Sequence, residues 1–245
     1  MSAATGEHEG GAPLALVAAM HQELAAVLEL LPDERKTVVA GREFWRGHLH
    51  GREVIAVLSR IGKVAAATTA TALIAHFGVR QIVFTGVAGG LGPGVRVGDV
   101  VVADDFLQHD LDASPIFPRH EVPLYGRSRF ATDPALTQRL VDAARRALPA
   151  ATLHRGLIVS GDRFVSTTAQ ARALQTELPD ALAVEMEGAA IAQVCHDYGV
   201  AYAAVRTISD HADDDAPADF TQFVETVASP HAAAIVQALL AQAAA

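Results

Sequence analysis

Short runs rich in β-branched and small apolar residues alternate along the chain with alanine- and leucine-rich stretches of helical length, and this alternation restricts the fold more than any other feature. The runs are 14–18, 54–58, 81–85, 100–103, 157–160, 183–185 and 202–208. The helical stretches are 22–31, 63–77, 134–148, 168–176, 188–198, 220–227 and 230–243. Several runs are apolar without alternation, as strands are when a sheet is covered on both faces. Strand alternating with helix predicts an α/β fold built on a mixed, mostly parallel sheet flanked by helices. With 245 residues and no break in composition, one domain over 13–245 is expected behind a flexible tail at 1–12. Segment 112–125, with Pro115, Pro118 and Pro123, is the least regular internal stretch. A loop of that length is often functional or at an interface.

Composition narrows the function. Apolar residues make up 51% and charged residues 19%, too apolar for a disordered chain. The net charge of −9 argues against a nucleic-acid surface, which needs excess positive charge to displace counterions. The single Cys195 cannot form an internal disulfide and suits a reducing cytoplasm. The first twelve residues lack the positive charge and apolar stretch of a secretory signal. The most membrane-like run, 64–79, is 16 residues long and carries threonines and His76, short of the roughly 20 apolar residues of a bilayer span. A soluble cytoplasmic protein without membrane or nucleic-acid partner is expected.

Ligands of open α/β sheets bind beyond the carboxyl ends of the strands, so polar groups at those ends are the candidates. Glu23 follows the first run and falls in the first turn of a helix, where exposed amides favour a carboxylate. Ordinary helix-end chemistry also accounts for it. The segment Phe84-Thr85-Gly86-Val87-Ala88-Gly89-Gly90 would let backbone amides approach a ligand. It fits neither GxGxxG nor a P-loop, and a tight turn explains it as well. Glu185 and Glu187 flank Met186 where a strand gives way to a helix. Two acids in such apolar surroundings are costly unless partnered. A helix N-terminus would hold Glu187 ionised, and Glu185 could be paired with an arginine. Arg206 and Asp210 leave the last run, and the Asp213-Asp214-Asp215 run reads as a solvated loop. No metal or other cofactor is expected. Several carboxylates thus meet with few cations. Hydrolysis of a glycosidic bond needs two carboxyl groups in different protonation states. One takes a proton from water; the other, kept neutral by burial, gives a proton to the leaving group. Composition alone does not separate a sugar from a nucleoside.

The blocks AAMHQEL (18–24), RIGKVAAA (60–67), FTGVAGGLGPGVRVGDVVVAD (84–104), GLIVSGDRFV (156–165), AVEMEGAAIAQVC (183–195) and VRTISDHAD (205–213) strongly resemble 5′-methylthioadenosine/S-adenosylhomocysteine nucleosidases, members of the purine nucleoside phosphorylase superfamily. The resemblance runs in order from about Leu14 to Leu240. It implies a central mixed, twisted sheet closing into a distorted barrel, and a homodimer. It also implies roles. Glu23 is the base that activates water, Asp210 the acid that protonates N7 of adenine, and Glu187 the acid that grips the ribose hydroxyls. Met186 packs on the sugar, and Arg206 lies near water and ribose. Phe164 and Val165 sandwich and hydrogen-bond the purine, Val165 through its backbone. Ile61 and Phe220 line the 5′-alkylthio pocket. Ala88, Gly89, Glu185 and Ser209 complete the substrate-binding set. Ala113 and Ile116 reach the neighbouring subunit's pocket.

Two other readings compete with hydrolysis. A phosphorylase must bind a phosphate dianion, and in hexameric bacterial phosphorylases an arginine and a serine flank the aligned sequence. Phe84 and Val87 stand there in this chain, and neither can stabilise phosphate. A non-catalytic nucleoside-binding protein would keep the purine clamp and lose acid and base, whereas Glu23 and Asp210 are both present. Val87 stands where many members carry Ser, and His21 and Gln22 replace acids common beside the base. With the segment at 114–125, these departures bear on substrate preference within the class, a bulky futalosine-type nucleoside included.

Overall fold

The computed structural model describes residues 12–212 and 223–242. Among them ten strands form one sheet. They are β1 (Leu14–Ala18), β2 (Arg35–Val39), β3 (Arg42–Leu49), β4 (Arg52–Leu58), β5 (Gln81–Gly90), β6 (Val100–Gln108), β7 (Arg129–Ala131), β8 (Leu153–Ser160), β9 (Ala181–Glu185) and β10 (Ala201–Asp210). The α-helices are α1 (His21–Leu28), α2 (Lys63–Phe77), α3 (Pro134–Ala147), α4 (Thr168–Glu177), α5 (Gly188–Tyr198) and α6 (Ser229–Ala241), the last entered through a π-helical turn at Val224–Ala228.

Five strands close on themselves. β5 pairs antiparallel with β9, β9 with β8 and β8 with β6 in parallel, β6 antiparallel with β10, and β10 in parallel with β5. This ring is the distorted barrel implied by the resemblance, and closure leaves none of its strands as a free edge. A wing of β1, β4, β3 and β2 extends from β5.

The lack of polar alternation has a direct cause. Leu14, Leu16 and Ala18 of β1 enter a core shared with Leu24 and Val27 of α1, Leu136 and Leu140 of α3, and Ile235 and Leu239 of α6. Ala15 and Val17 of the same strand enter a second core with Ala66 and Leu73 of α2 and Ile191 of α5. Each face of β1 is dry, so both sets of its side chains must be apolar. The helical stretch Val224–Ala241 is long and apolar enough to span a membrane by composition. Its Ile235, Val236 and Leu239 are instead buried in the core it shares with α1 and α3.

β7, a three-residue strand paired to β6, is absent from the predicted runs, and the structure differs from the sequence reading in three further places. β2 and β3 form a hairpin absent from the predicted runs. β2 is exposed along most of its length, so no apolar period marks it. The signals that exist are the turns, Ala40-Gly41 and His50-Gly51, where both central residues have positive φ, as two-residue hairpin turns require. Second, the glycine segment at 84–90 is no turn: β5 runs straight through Gly90, and Gly86, Gly89 and Gly90 have no positive φ. Third, the predicted helix 220–227 begins outside the described residues, and its remainder is the π-helical turn.

Candidate active site

The carboxyl ends of β1, β4, β5, β8, β9 and β10 surround a cavity of about 410 Å³, the size of a small-molecule site. Its apolar wall includes Met20, Ile61, Val87, Phe164 and Met186, and its acidic wall Glu185, Glu187 and Asp210. Ala88, Gly89, Val165 and Ser209 also line it. The glycines of β5 serve close approach. A Cβ on Gly89 would stand 2.9 Å from the Ala212 Cβ and 3.0 Å from Asp210 Oδ1, and one on Gly86 would stand 3.6 Å from Arg206 Nε. Bare backbone at these points lets β10 carry its charged side chains against β5.

Behind the cavity lies a dry ionic network. Arg206 is 1% exposed and donates through Nη2 to Glu185 Oε2 at 2.7 Å. Its Nη1 donates to the carbonyls of Phe84 and Val205 at 3.1 and 3.0 Å. The guanidinium rests on the Phe84 ring, 3.9 Å from its centroid, a cation–π contact. Glu185 also accepts from the Ser160 hydroxyl and, at 2.9 and 3.0 Å, from the Gly188 amide at the start of α5. Glu185 is therefore the ion-paired acid that the sequence reading left as an alternative, though it still borders the cavity. Arg206 is not in the cavity wall.

Truncating one partner of such a pair strands a buried charge. Glu185→Leu is expected to lower unfolding free energy by about 3–5 kcal/mol, read from urea midpoints. Adding Arg206→Met should restore part of it, since an apolar pair needs no counter-charge.

Glu187, at the N-terminus of α5, accepts from the Gly62 amide at 2.8 Å through Oε1. The helix terminus does not hold it ionised as the sequence suggests, since its side chain makes no cap bond there: burial first, and the nearby Glu185 charge second, push its carboxyl well above the usual range, while the Gly62 amide and Arg206 oppose them. Glu23 is fully buried one layer behind the wall formed by Ala19 and Met20. Its Oε2 accepts from the Met20 amide at 3.1 Å, while Oε1 has no hydrogen-bond partner among the described residues. Burial raises its pKa from 4.5 to about 7, against the pull of the Met20 amide and Arg206. Asp210 accepts from the Ser209 hydroxyl at 2.7 Å and from the Ala212 amide at 2.7 Å. A hydroxyl can donate or accept, so Ser209 suits either protonation state of its neighbour.

Of the remaining sequence candidates, Ala113 and Ile116 do not border this chain's cavity, and Ile116 is 83% exposed. Phe220 and the Asp213-Asp214-Asp215 run lie outside the described residues. Sequence reasoning missed Ala19, Met20, Val184 and Arg163 as lining residues. Their signal was adjacency: each stands within a few residues of a candidate. Arg163 is the only cation lining the cavity among the described residues.

Residues 13–241 match the Phosphorylase superfamily. A 5′-methylthioadenosine/S-adenosylhomocysteine nucleosidase of Shewanella denitrificans is 35% identical over 235 residues, covering 94% of this chain and 99% of that one. The Geobacillus kaustophilus nucleosidase of the same name is 38% identical, covering 92% and 95%. The chain belongs to this nucleosidase family. The crystal structure of the Neisseria meningitidis nucleosidase with methylthio-immucillin-A superposes with a TM-score of 0.89 at 35% identity, covering 94% of this chain and 99% of that one. A Helicobacter pylori futalosine hydrolase superposes with a TM-score of 0.88 at 33% identity, covering 94% and 98%. Nucleosidase membership accords with the wall chemistry: Val87 is apolar, and the Phe84 ring is occupied by an arginine already paired to Glu185.

Proposed function

We propose that this enzyme hydrolyses the N-glycosidic bond of 5′-methylthioadenosine and S-adenosylhomocysteine, releasing adenine and the 5-thioribose product. The observation that carries this reading is Glu23: a fully buried carboxyl with one oxygen unpartnered among the described residues and a pKa near 7. A general base works best when its pKa lies near the working pH, and an anion at that place favours neutral water over phosphate as nucleophile.

The ring of the purine packs on Phe164, with the Val165 backbone at its edge. Asp210 delivers a proton to N7, so adenine departs as a neutral base rather than an anion. As the bond breaks, the ribose takes on oxocarbenium character and its positive charge is stabilised by Glu187, which also holds the sugar hydroxyls. Glu23 removes a proton from the attacking water. Met186 packs on the sugar, and Ile61 with Phe220 encloses the 5′ substituent. Arg206 acts indirectly: it neutralises Glu185 and tempers the charge of Glu187 and Glu23.

Ala113 and Ile116 supply part of the neighbouring pocket in a homodimer. The exposure of Ile116 at 83% and Leu124 at 90% supports that reading, because exposed apolar side chains on one loop mark an interaction surface. The protein works in the cytoplasm on a small nucleoside, without cofactor.

Adenine release from methylthioadenosine, S-adenosylhomocysteine and adenosine, with and without phosphate, tests the reaction. Equal rates for the thio-substrates in both conditions are expected. Release that requires phosphate would move the chain to the phosphorylases, and tight binding without release would make it a sensor. Futalosine belongs in the same assay, since its Helicobacter pylori hydrolase shares the fold.

A further inference from the structure

β6 and β8 are parallel neighbours, so the segments leaving their carboxyl ends emerge side by side. The β6 exit carries Asp110, and the β8 exit carries Asp162 just before the cavity residues Phe164 and Val165. The N-terminus of α2, with Gly62 and Lys63, meets both.

Three hydrogen bonds join these segments into a closed circuit. Asp110 accepts from Lys63 Nζ at 2.6 Å through Oδ1 and from the Asp162 amide at 2.8 Å through Oδ2. Asp162 Oδ1 accepts from the Lys63 amide at 2.7 Å. Gly62, the next residue back, donates its amide to Glu187. It has a φ of +97°, and a Cβ there would stand 3.1 Å from Asp162 Oδ1, so the two segments touch with little slack. Burial tends to raise the Asp110 carboxyl, but Lys63 and the Asp162 amide outweigh it and hold the group ionised below its ordinary range.

We propose that Asp110, together with Lys63 and Asp162, is a positioning residue for catalysis: it locks the loop that bears Phe164 and Val165 to the N-terminus of α2, and thereby fixes the Gly62 amide on Glu187. This rests on the nucleosidase reading above. The Lys63–Asp110 pair is partly buried, its side chains 16% and 29% exposed. The circuit's leverage is geometric, because displacing reacting groups by about 1 Å can cost about 10²-fold in rate. It couples the purine wall, from β8, to the ribose acid, from β9, which share no other hydrogen bond through α2 among the described residues.

The circuit also sets when Glu187 ionises. The groups facing Glu187 are Glu185 on β9, which opposes ionisation, and Arg206 on β10, the Gly62 amide of α2 and the amide of Met186, which favour it. Around Asp110 the charged or titratable groups are Lys63, His109 and Asp162. Releasing Gly62 removes a favourable partner from Glu187 alone and leaves Glu23 with its Met20 bond.

The test is the pH dependence of kcat and KM for methylthioadenosine in Asp110→Ala, Asp110→Asn and Lys63→Met. Asp110→Ala is expected to lose about 10- to 100-fold in kcat/KM near neutral pH, the range for losing charge-assisted hydrogen bonds. Its acid limb should move up by about half a pH unit or more, as Glu187 loses a donor to its charged form. Asp110→Asn keeps an acceptor for the Asp162 amide and should recover part of the loss. If Asp110→Ala fails to fold, Lys63→Met removes one arm only and should give a smaller loss in the same direction. Folded variants with unaltered kcat/KM and an unmoved acid limb would overturn the proposal, as would a lowered Tm with normal kinetics. If the unaltered chain releases no adenine, the nucleosidase reading itself falls, a result distinct from active variants with unchanged kinetics.

Discussion

Asp210→Asn is expected to fold normally and to lose about 10²–10⁴-fold in kcat, the usual contribution of one general acid. Asparagine has the same shape. Its amide oxygen can accept from the Ala212 amide, and its amino group can donate to Ser209, so the Ser209 and Ala212 bonds of Asp210 each have a counterpart. What it lacks is a transferable proton for N7, leaving adenine to depart as an anion. The urea midpoint of the variant should match the parent within error while adenine release collapses. Near-normal turnover would remove Asp210 from its role.

Glu23→Gln should show loss of activity together with gain of stability. The parent's kcat/KM should rise with pH as the two buried carboxyls ionise, Glu23 near 7 and Glu187 near 8, and the Glu23→Gln variant, which keeps only the Glu187 ionisation, should lose about 10²–10⁴-fold at the plateau. The sign of the stability effect follows from linkage. The folded-state pKa is raised, so the fold binds the proton more tightly than the unfolded chain does. The stability from the protonated form is complete below about pH 4.5 and is lost as pH rises through about 7. Above that, the fold bears the cost of a buried carboxylate, about 3 kcal/mol at about 1.4 kcal/mol per pH unit. Glutamine avoids this cost and keeps an acceptor for the Met20 amide. The stability advantage of Glu23→Gln should therefore be small at pH 5 and near its full value at pH 8. An advantage independent of pH would mean that Glu23 does not titrate in this range.

The sequence was most legible where burial dictates composition. β1 and β4 must be apolar on both faces because helices cover each side, and both stood out as apolar runs. β2 carries its exposed residues to solvent, and its partnership with β3 is written only in the short turn at Ala40-Gly41. Among site residues, the acids were legible because carboxylates at the ends of apolar strands have few structural reasons to be there. The destination of Arg206 was not, since its partner Glu185 lies 21 residues away on another strand and no local pattern joins them. The glycines of β5 were visible, with close backbone approach and a tight turn both left open. A turn and a close approach call for the same residue, and only the position of β10 tells which applies.

The ring of strands is completed by β10, which pairs with both β5 and β6 and is made after every other strand described. It brings Arg206 and Asp210 with it. While the chain is still emerging from the ribosome, Glu185 has no guanidinium to meet, and the glycine backbone of β5 has nothing resting against it. Domains tend to consolidate as units once their long-range partners exist. The nascent chain is thus expected to be inert until nearly all of it has been synthesised, and a truncation ahead of residue 201 forfeits the proposed proton donor and the counter-ion in a single stroke.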